Sequence, residues 1–205
     1  KARQALICGD MARAVSCEER VSSLNSEAAI PITLCCDLIF SAQLKHRLGD
    51  DITARALLDE AFSLAEKINS EVAFISIEFL EAQIAFDQGD DDKGLAYLRD
   101  SITRQKEIGY FLITCDVPSE TASVFAKALQ AGIEVDFVKE IIRRRRLVPE
   151  EITMTPKEWP WPVEVYTLGR FAVIRDGQEL LFSKKAQKKP LEMLKAMITR
   201  GSPPM

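Results

Sequence analysis

Three Gly-Asp pairs, Gly9-Asp10, Gly49-Asp50 and Gly89-Asp90, stand forty residues apart, and nothing else in the 205-residue chain restricts its fold as strongly. Other positions keep the same register: Ala14, Ala54 and Gly94 are small, Ala42 matches Ala82, Gln43 matches Gln83, and Leu58 matches Leu98. Ahead of the second pair lies an amphipathic run, Ile32–Leu48, with Leu34, Leu38, Ala42 and Leu44 at helical spacing. Glycine stops a helix because it takes the left-handed conformation without a Cβ clash. Aspartate then starts the next helix by accepting from its free backbone N–H groups. Ala54, Leu57, Leu58, Ala61, Phe62 and Ala65 form one face of that next helix. The unit is a helical hairpin with small residues where its arms approach. A single hairpin cannot bury its apolar faces alone, so hairpins stack.

A fourth hairpin is less regular. Ser119–Ala131 reads as a helix through Val124, Phe125, Ala128 and Leu129, Gly132 is the turn, and Glu134–Arg146 follows with Phe137, Val138, Ile141 and Ile142. An insertion around Thr114–Pro118 shifts it out of the forty-residue register. The pattern Ala42…Gly49-Asp50…Ala54…Leu58…Ala61-Phe62, repeated as Ala82…Gly89-Asp90…Gly94…Leu98…Ser101-Ile102, resembles tetratricopeptide repeats over Lys1–Leu147. Those repeats have a period of about 34 residues and a large aromatic near the start of the first helix, which is missing here. The resemblance is therefore to the divergent, longer-helix repeats of large signalling regulators.

The composition changes at Leu147. Residues 148–162 hold Pro149, Pro156, Pro160 and Pro162, which exclude helix through lost N–H donors and pre-proline restriction. Trp159 and Trp161 in this linker are expected to dock on a neighbouring surface. From Val163 the period becomes two: Val163, Val165 and Thr167 alternate with Glu164, Tyr166 and Leu168. Gly169 marks a bend, Phe171–Arg175 a second strand, Asp176-Gly177 a hairpin turn and Glu179–Phe182 a third strand. Leu191, Leu194, Lys195 and Ile198 then run at helical spacing up to Gly201. The expected fold is mainly α: stacked antiparallel helical hairpins (1–147, a tetratricopeptide-like superhelix), a Pro/Trp linker (148–162) and a small α+β segment (163–205).

Val165-Tyr166-Thr167-Leu168-Gly169-Arg170-Phe171-Ala172-Val173, then Asp176-Gly177, then Lys185-Ala186-Gln187-Lys188-Lys189-Pro190-Leu191-Glu192-Met193-Leu194, resembles the opening of the OmpR/PhoB-type winged-helix domain. More narrowly, it resembles the form found in bacterial activators of the antibiotic-regulator (SARP) and MalT-like groups. The join Ala131-Gly132-Ile133-Glu134-Val135, with Ile141-Ile142-Arg143-Arg144 and Trp159-Pro160-Trp161-Pro162, is similar to that of large MalT-like regulators. The resemblance implies an ATP-binding signalling module upstream, repeats that sense or relay, and a C-terminal domain that binds DNA. No G-x-x-x-x-G-K-[ST] occurs here, so ATP belongs to that upstream module and no cofactor to this chain. In the family a second helix, a recognition helix and a wing follow the position of Gly201. Base readout comes from the recognition helix, so sequence-specific binding is not expected of this chain by itself. The chain opens on Lys1 and closes just after a helical pattern, so a longer natural chain is expected.

The net charge of -4 carries no overall sign of a nucleic-acid binder. It conceals a basic stretch, Lys184, Lys185, Lys188, Lys189, Lys195 and Arg200 against Glu192 alone. That stretch fits either phosphate contacts or a solvated helix start, and the two readings stand level. Arg143–Arg146 complements a helix dipole, or else docks the linker or touches nucleic acid. Asp90-Asp91-Asp92 reads as a turn and N-cap rather than a metal loop. Cys8, Cys17, Cys35, Cys36 and Cys115 form no C-x-x-C and are expected as reduced thiols in a cytoplasm. His46, the only histidine, has no second ligand or triad partner, and neither zinc nor enzymatic chemistry is expected. No apolar window is long enough to span a membrane.

Two functions follow. One is a transcription regulator whose array takes a protein partner or small effector and relays the event to DNA. The other is an interaction scaffold whose C-terminal strands mediate self-association and never touch DNA. Self-association is open in the first as well.

Overall fold

The structure is a computed structural model, and it describes all residues except 29, 114–115, 151–154, 168–169, 176, 182–187 and 201–205. It is mostly helical and divides into two compact units, Lys1–Pro160 and Trp161–Met205. The first unit runs α1 (Ala2–Ile7), α2 (Met11–Ala28), α3 (Pro31–Arg47), α4 (Asp51–Ile68), α5 (Glu71–Asp87), α6 (Asp91–Ile108), α7 (Pro118–Gln130) and α8 (Val135–Arg145). Consecutive helices pair as hairpins around Gly9, Gly49, Gly89 and Gly132.

The backbone shows why Gly and Asp recur together. Gly49 has φ 79°, its N–H donates to the His46 carbonyl at 2.9 Å, and the Asp50 N–H donates to the Lys45 carbonyl at 2.9 Å. These two bonds make the Schellman closure of α3. The Asp50 carboxylate then accepts from the Thr53 N–H at 3.1 Å and caps α4. One residue thus ends one helix with its backbone and begins the next with its side chain. Asp10 accepts from Arg13 N and Asp90 from Lys93 N in the same way. The fourth turn keeps Gly132 at φ 67° but has no such aspartate, and Glu134 at the N-cap makes no capping bond, its carboxylate accepting from Lys106 instead (2.6 Å).

A second set of punctuation marks separates the hairpins. Asn69 and Gly109, also forty residues apart, both take left-handed backbone and close α4 and α6. Pro31 and Pro118 stand at the first positions of α3 and α7, where a missing N–H costs nothing. The repeat even preserves cross-helix bonds. The Cys35 thiol points to the Ala61 carbonyl (3.5 Å), and forty residues on the Ser101 hydroxyl donates to the Ile75 carbonyl (2.9 Å).

One apolar core lies among α3, α4 and α5, built by Ile39, Leu58, Ala61, Ile77, Leu80 and Ile84. Another joins Leu6 of α1, Ala14 of α2, Phe40 and Leu44 of α3, and Val117. Val117 belongs to the segment that the sequence shows only as an insertion. That segment returns from α6 to the α1–α3 core, and Asp116 anchors it. The Asp116 side chain is 2% exposed and pairs with Arg3 (2.6 Å) and with Arg145 of α8. It also accepts from the Thr121 hydroxyl at 3.1 Å. The chain therefore lays α7 across α3 and α5, with Phe125 edge-on to Phe79 at 5.7 Å. Helix α5 is buried on all sides over residues 75–80 as a result, and Ile84 and Ala85 continue its buried surface.

The second unit holds an antiparallel sheet in the order β1-β2-β3, formed by Val163–Tyr166, Ala172–Arg175 and Gln178–Glu179, and then α9 (Lys188–Arg200). Val165 pairs with Val173, and Ile174 with Glu179. Gly177 has φ 77°, as a tight hairpin requires; Asp176 lies outside the described residues. The third strand is described at Gln178–Glu179, with one further bond from Leu180 N to the Val173 carbonyl (2.8 Å), and Phe182 of the expected Glu179–Phe182 lies outside the described residues. The expected alternation is also not observed. Ala172 and Val173 are neighbours and both are buried, while Val163 and Tyr166 at the ends of β1 are both exposed. Burial here follows position in the sheet, the central strand being covered on both faces.

Gly49→Val should lower stability by roughly 1–2 kcal/mol, and Gly49→Asn by much less, because a Cβ at Gly49 meets nothing within 4 Å and only the left-handed backbone resists it. Gly94→Ala acts through packing instead, since its Cβ falls 2.4 Å from the Phe86 ring. Denaturant unfolding of the three variants checks this. Equal losses for the Val and Asn variants at position 49 are the contrary result.

Candidate functional site

The residues singled out from the sequence fall in several places. Gly9, Gly49, Gly89 and Gly132, with Asp10, Asp50 and Asp90, occupy the hairpin turns. Trp159 is buried in the first unit and Trp161 is half-buried in the second. Lys184 and Lys185 lie outside the described residues. Lys188 and Lys189 open α9, and Lys189 is exposed. Lys195 sits 4.5 Å over the Phe171 ring. In the arginine run at the end of α8, Arg145 is taken by Asp116, while Arg144 pairs with Glu140 and stacks 3.9 Å over Phe111. Among the described residues no His, Cys, Asp or Glu side chains gather as a metal site, and no helix is long and apolar enough to cross a membrane. Among the described residues Cys8, Cys17, Cys35 and Cys36 form no disulfide, and burial, then the neighbouring Cys36, pushes Cys35 up to about 11.

The structure assembles a site that the sequence does not announce. Where α7 crosses α3 and α5 it leaves a cleft of about 510 Å³. Helix α3 supplies Gln43, His46 and Arg47. Helix α5 supplies Leu80, Gln83, Phe86 and Asp87, and α7 supplies Glu120, Ser123, Val124 and Lys127. The spacing of these residues along each helix is three or four, so each set lies on one face. The one sequence trace of this site is the Gln43–Gln83 match, which places two amides at equivalent points of adjacent hairpins.

Leu80, Phe86 and Val124 form the apolar floor. Ionised groups of both signs stand around it, joined between helices. Arg47 pairs with Glu120, and Lys127 with Asp91 (2.7 Å) while lying 4.4 Å over the Phe86 ring. Burial raises the Glu120 carboxyl, and Arg47 pulls it the other way. His46 bridges α4 and α5 from the end of α3: Nδ1 is 2.7 Å from Asp51 and Nε2 is 2.9 Å from Asp87. Gln88 and Arg55 extend this network from Asp51. Gln43 is only 4% exposed, and its Oε1 has no hydrogen-bond partner. Such an arrangement offers donors, acceptors and an apolar surface together.

Comparison with protein-family models, curated proteins and solved structures finds no match to this chain.

Burial opposes charge on His46, but its bonds to Asp87 and Asp51 outweigh that and hold it above the usual imidazole range. A raised folded value means that the stabilisation is complete below the unfolded pKa, about 6.5, and is lost as pH rises through the folded value. Thermal unfolding from pH 6 to pH 9 should therefore show a falling Tm that His46→Gln flattens. An identical slope in both proteins is the result that removes the bridge from the account.

Proposed function

We propose that the chain is part of a transcription regulator. Its helical array takes up a protein partner or small effector, and its second unit belongs to a DNA-binding domain of the winged-helix type. The observation that carries this reading is the order of elements in the second unit: three antiparallel strands, then a helix whose first turn begins Lys188-Lys189. Lysines in a first turn oppose the helix dipole, and no acidic residue offsets them there. Charge placed against local stability is accounted for if it meets a phosphate backbone. The cleft among α3, α5 and α7 supplies the receiving site that a regulator needs. Likeness to the SARP and MalT-like regulators over the residues named above supports the same reading. Its parts then work in the cytoplasm, where DNA and effector meet.

The scaffold reading draws on one observation. Leu181, Met193 and Met197 of the second unit are exposed at 91%, 67% and 52%, as a protein-binding surface requires.

The test is fluorescence anisotropy of labelled duplex DNA from the region upstream of its own gene. It is titrated with this chain and with the chain as the gene encodes it, at two salt concentrations. Selective binding by the latter, weakening at higher salt and after Lys188→Glu plus Lys189→Glu, is expected. Equal, weak binding to any duplex by both forms contradicts the regulator reading and favours the scaffold.

A further inference from the structure

We propose that Arg143 and Arg146, at the end of α8, form a second surface for the phosphate backbone of duplex DNA. This rests on the DNA part of the function proposed above and extends it from the second unit to the helical array.

Four arginines in a row at a helix C-terminus carry more charge than the helix itself can use. The dipole supplies only about half a negative charge there. Two carboxylates touch the run among the described residues. Asp116 takes Arg145, and it also holds Arg3. Glu140 takes Arg144, whose guanidinium lies 3.9 Å over the Phe111 ring. Arg143 and Arg146 are exposed, and neither forms an ion pair or a side-chain hydrogen bond with a described residue.

The backbone of Arg146 is a second, independent observation. It closes α8 in the left-handed conformation, at φ 51° and ψ 44°. The second arms of the two preceding hairpins, α4 and α6, close in the same way on Asn69 and Gly109. Glycine and asparagine take that conformation at little cost, and arginine does not. Unpaired charge and backbone cost therefore fall on one residue, and an external anion accounts for both.

The surroundings fit that anion to a nucleic-acid backbone. A guanidinium meets phosphate oxygens through two parallel N–H bonds. Two of them three residues apart at one helix end engage a polyanion together. A bilayer surface is the other polyanion, but α8 buries Val138, Ile141 and Ile142 in the array and keeps no apolar face to enter lipid. The second unit, which begins at Trp161, opens α9 on Lys188-Lys189 with no acidic residue in that turn. Phosphate contacts from α8 add affinity to those of α9 and read no sequence.

The experiment is fluorescence anisotropy of a labelled duplex of scrambled sequence, titrated with this chain between about 50 and 200 mM salt. Arg143→Gln plus Arg146→Gly is compared with the wild type and with Lys188→Glu plus Lys189→Glu. Vesicles of phosphatidylserine and phosphatidylcholine are titrated alongside. The arginine variant is expected to bind the duplex about tenfold or more weakly, with a salt slope shallower by about two. Its Tm should hold or rise, because glycine relieves the left-handed backbone at position 146. The proposal is overturned if the wild type binds no duplex at the lower salt, if the arginine variant binds as the wild type does, if its Tm falls while its salt slope stays the same, or if the wild type takes the vesicles more tightly than the duplex. Loss of affinity in the lysine variant alone removes this surface and leaves the regulator reading standing. Loss in the arginine variant alone keeps this surface and counts against the part given to Lys188 and Lys189.

Discussion

A single buried carboxylate governs how the helical unit closes. Asp116 sits between α6 and α7, and it holds Arg3 of α1, Arg145 of α8 and the Thr121 hydroxyl of α7. Burying one carboxylate among apolar neighbours is expensive, and an ion pair offsets that cost only with close geometry and further hydrogen bonds. Two guanidinium groups and a hydroxyl meet that condition. Because Asp116 is fixed there, Val117 reaches the core of α1 and α3, and α7 must cross α3 and α5. The cleft is a consequence of that crossing. Without it, the inner faces of α3 and α5 would lie open.

The repeat was legible because its chemistry is local. A left-handed glycine followed by an aspartate that both closes and opens a helix needs no distant partner, so its spacing gives the hairpins directly. Gly132, Pro118 and the apolar periodicity give the fourth pair to within a residue at each end. The fold-back was not legible. It depends on Arg3 meeting Asp116 across 113 residues, and from sequence the segment around Asp116 reads only as a break in register. His46 shows the same limit. Alone in the chain it has no motif, yet two carboxylates from different hairpins converge on it. The match of Gln43 with Gln83 was visible, but its meaning required α7 to be placed opposite.

The second unit shows where a period-two pattern stops being informative. The strands are short, and burial in a three-stranded sheet follows whether a strand is central as much as which face a residue takes. The order of strands and helix survives this, and so does the positive φ at Gly177. Four hairpins of helical punctuation and a small sheet are two folding solutions in one chain: local caps with stacked faces in one, a hydrogen-bonded ladder in the other. The cleft is lined by α3, α5 and α7 together. Through Thr121, α7 is tied to Asp116, and through Asp116 to Arg3 of α1 and Arg145 of α8.

The most direct test of this account is hydrogen exchange on Asp116→Asn, with denaturant unfolding of the same protein. Losing the carboxylate leaves Arg145 buried beside a neutral amide, and the expected loss is about 3 kcal/mol. The account predicts that amide protection falls in α1, α7 and α8 while α4, α5 and α6 keep theirs. Unchanged stability, or protection lost evenly through all the helices, would contradict the claim that Asp116 closes the array.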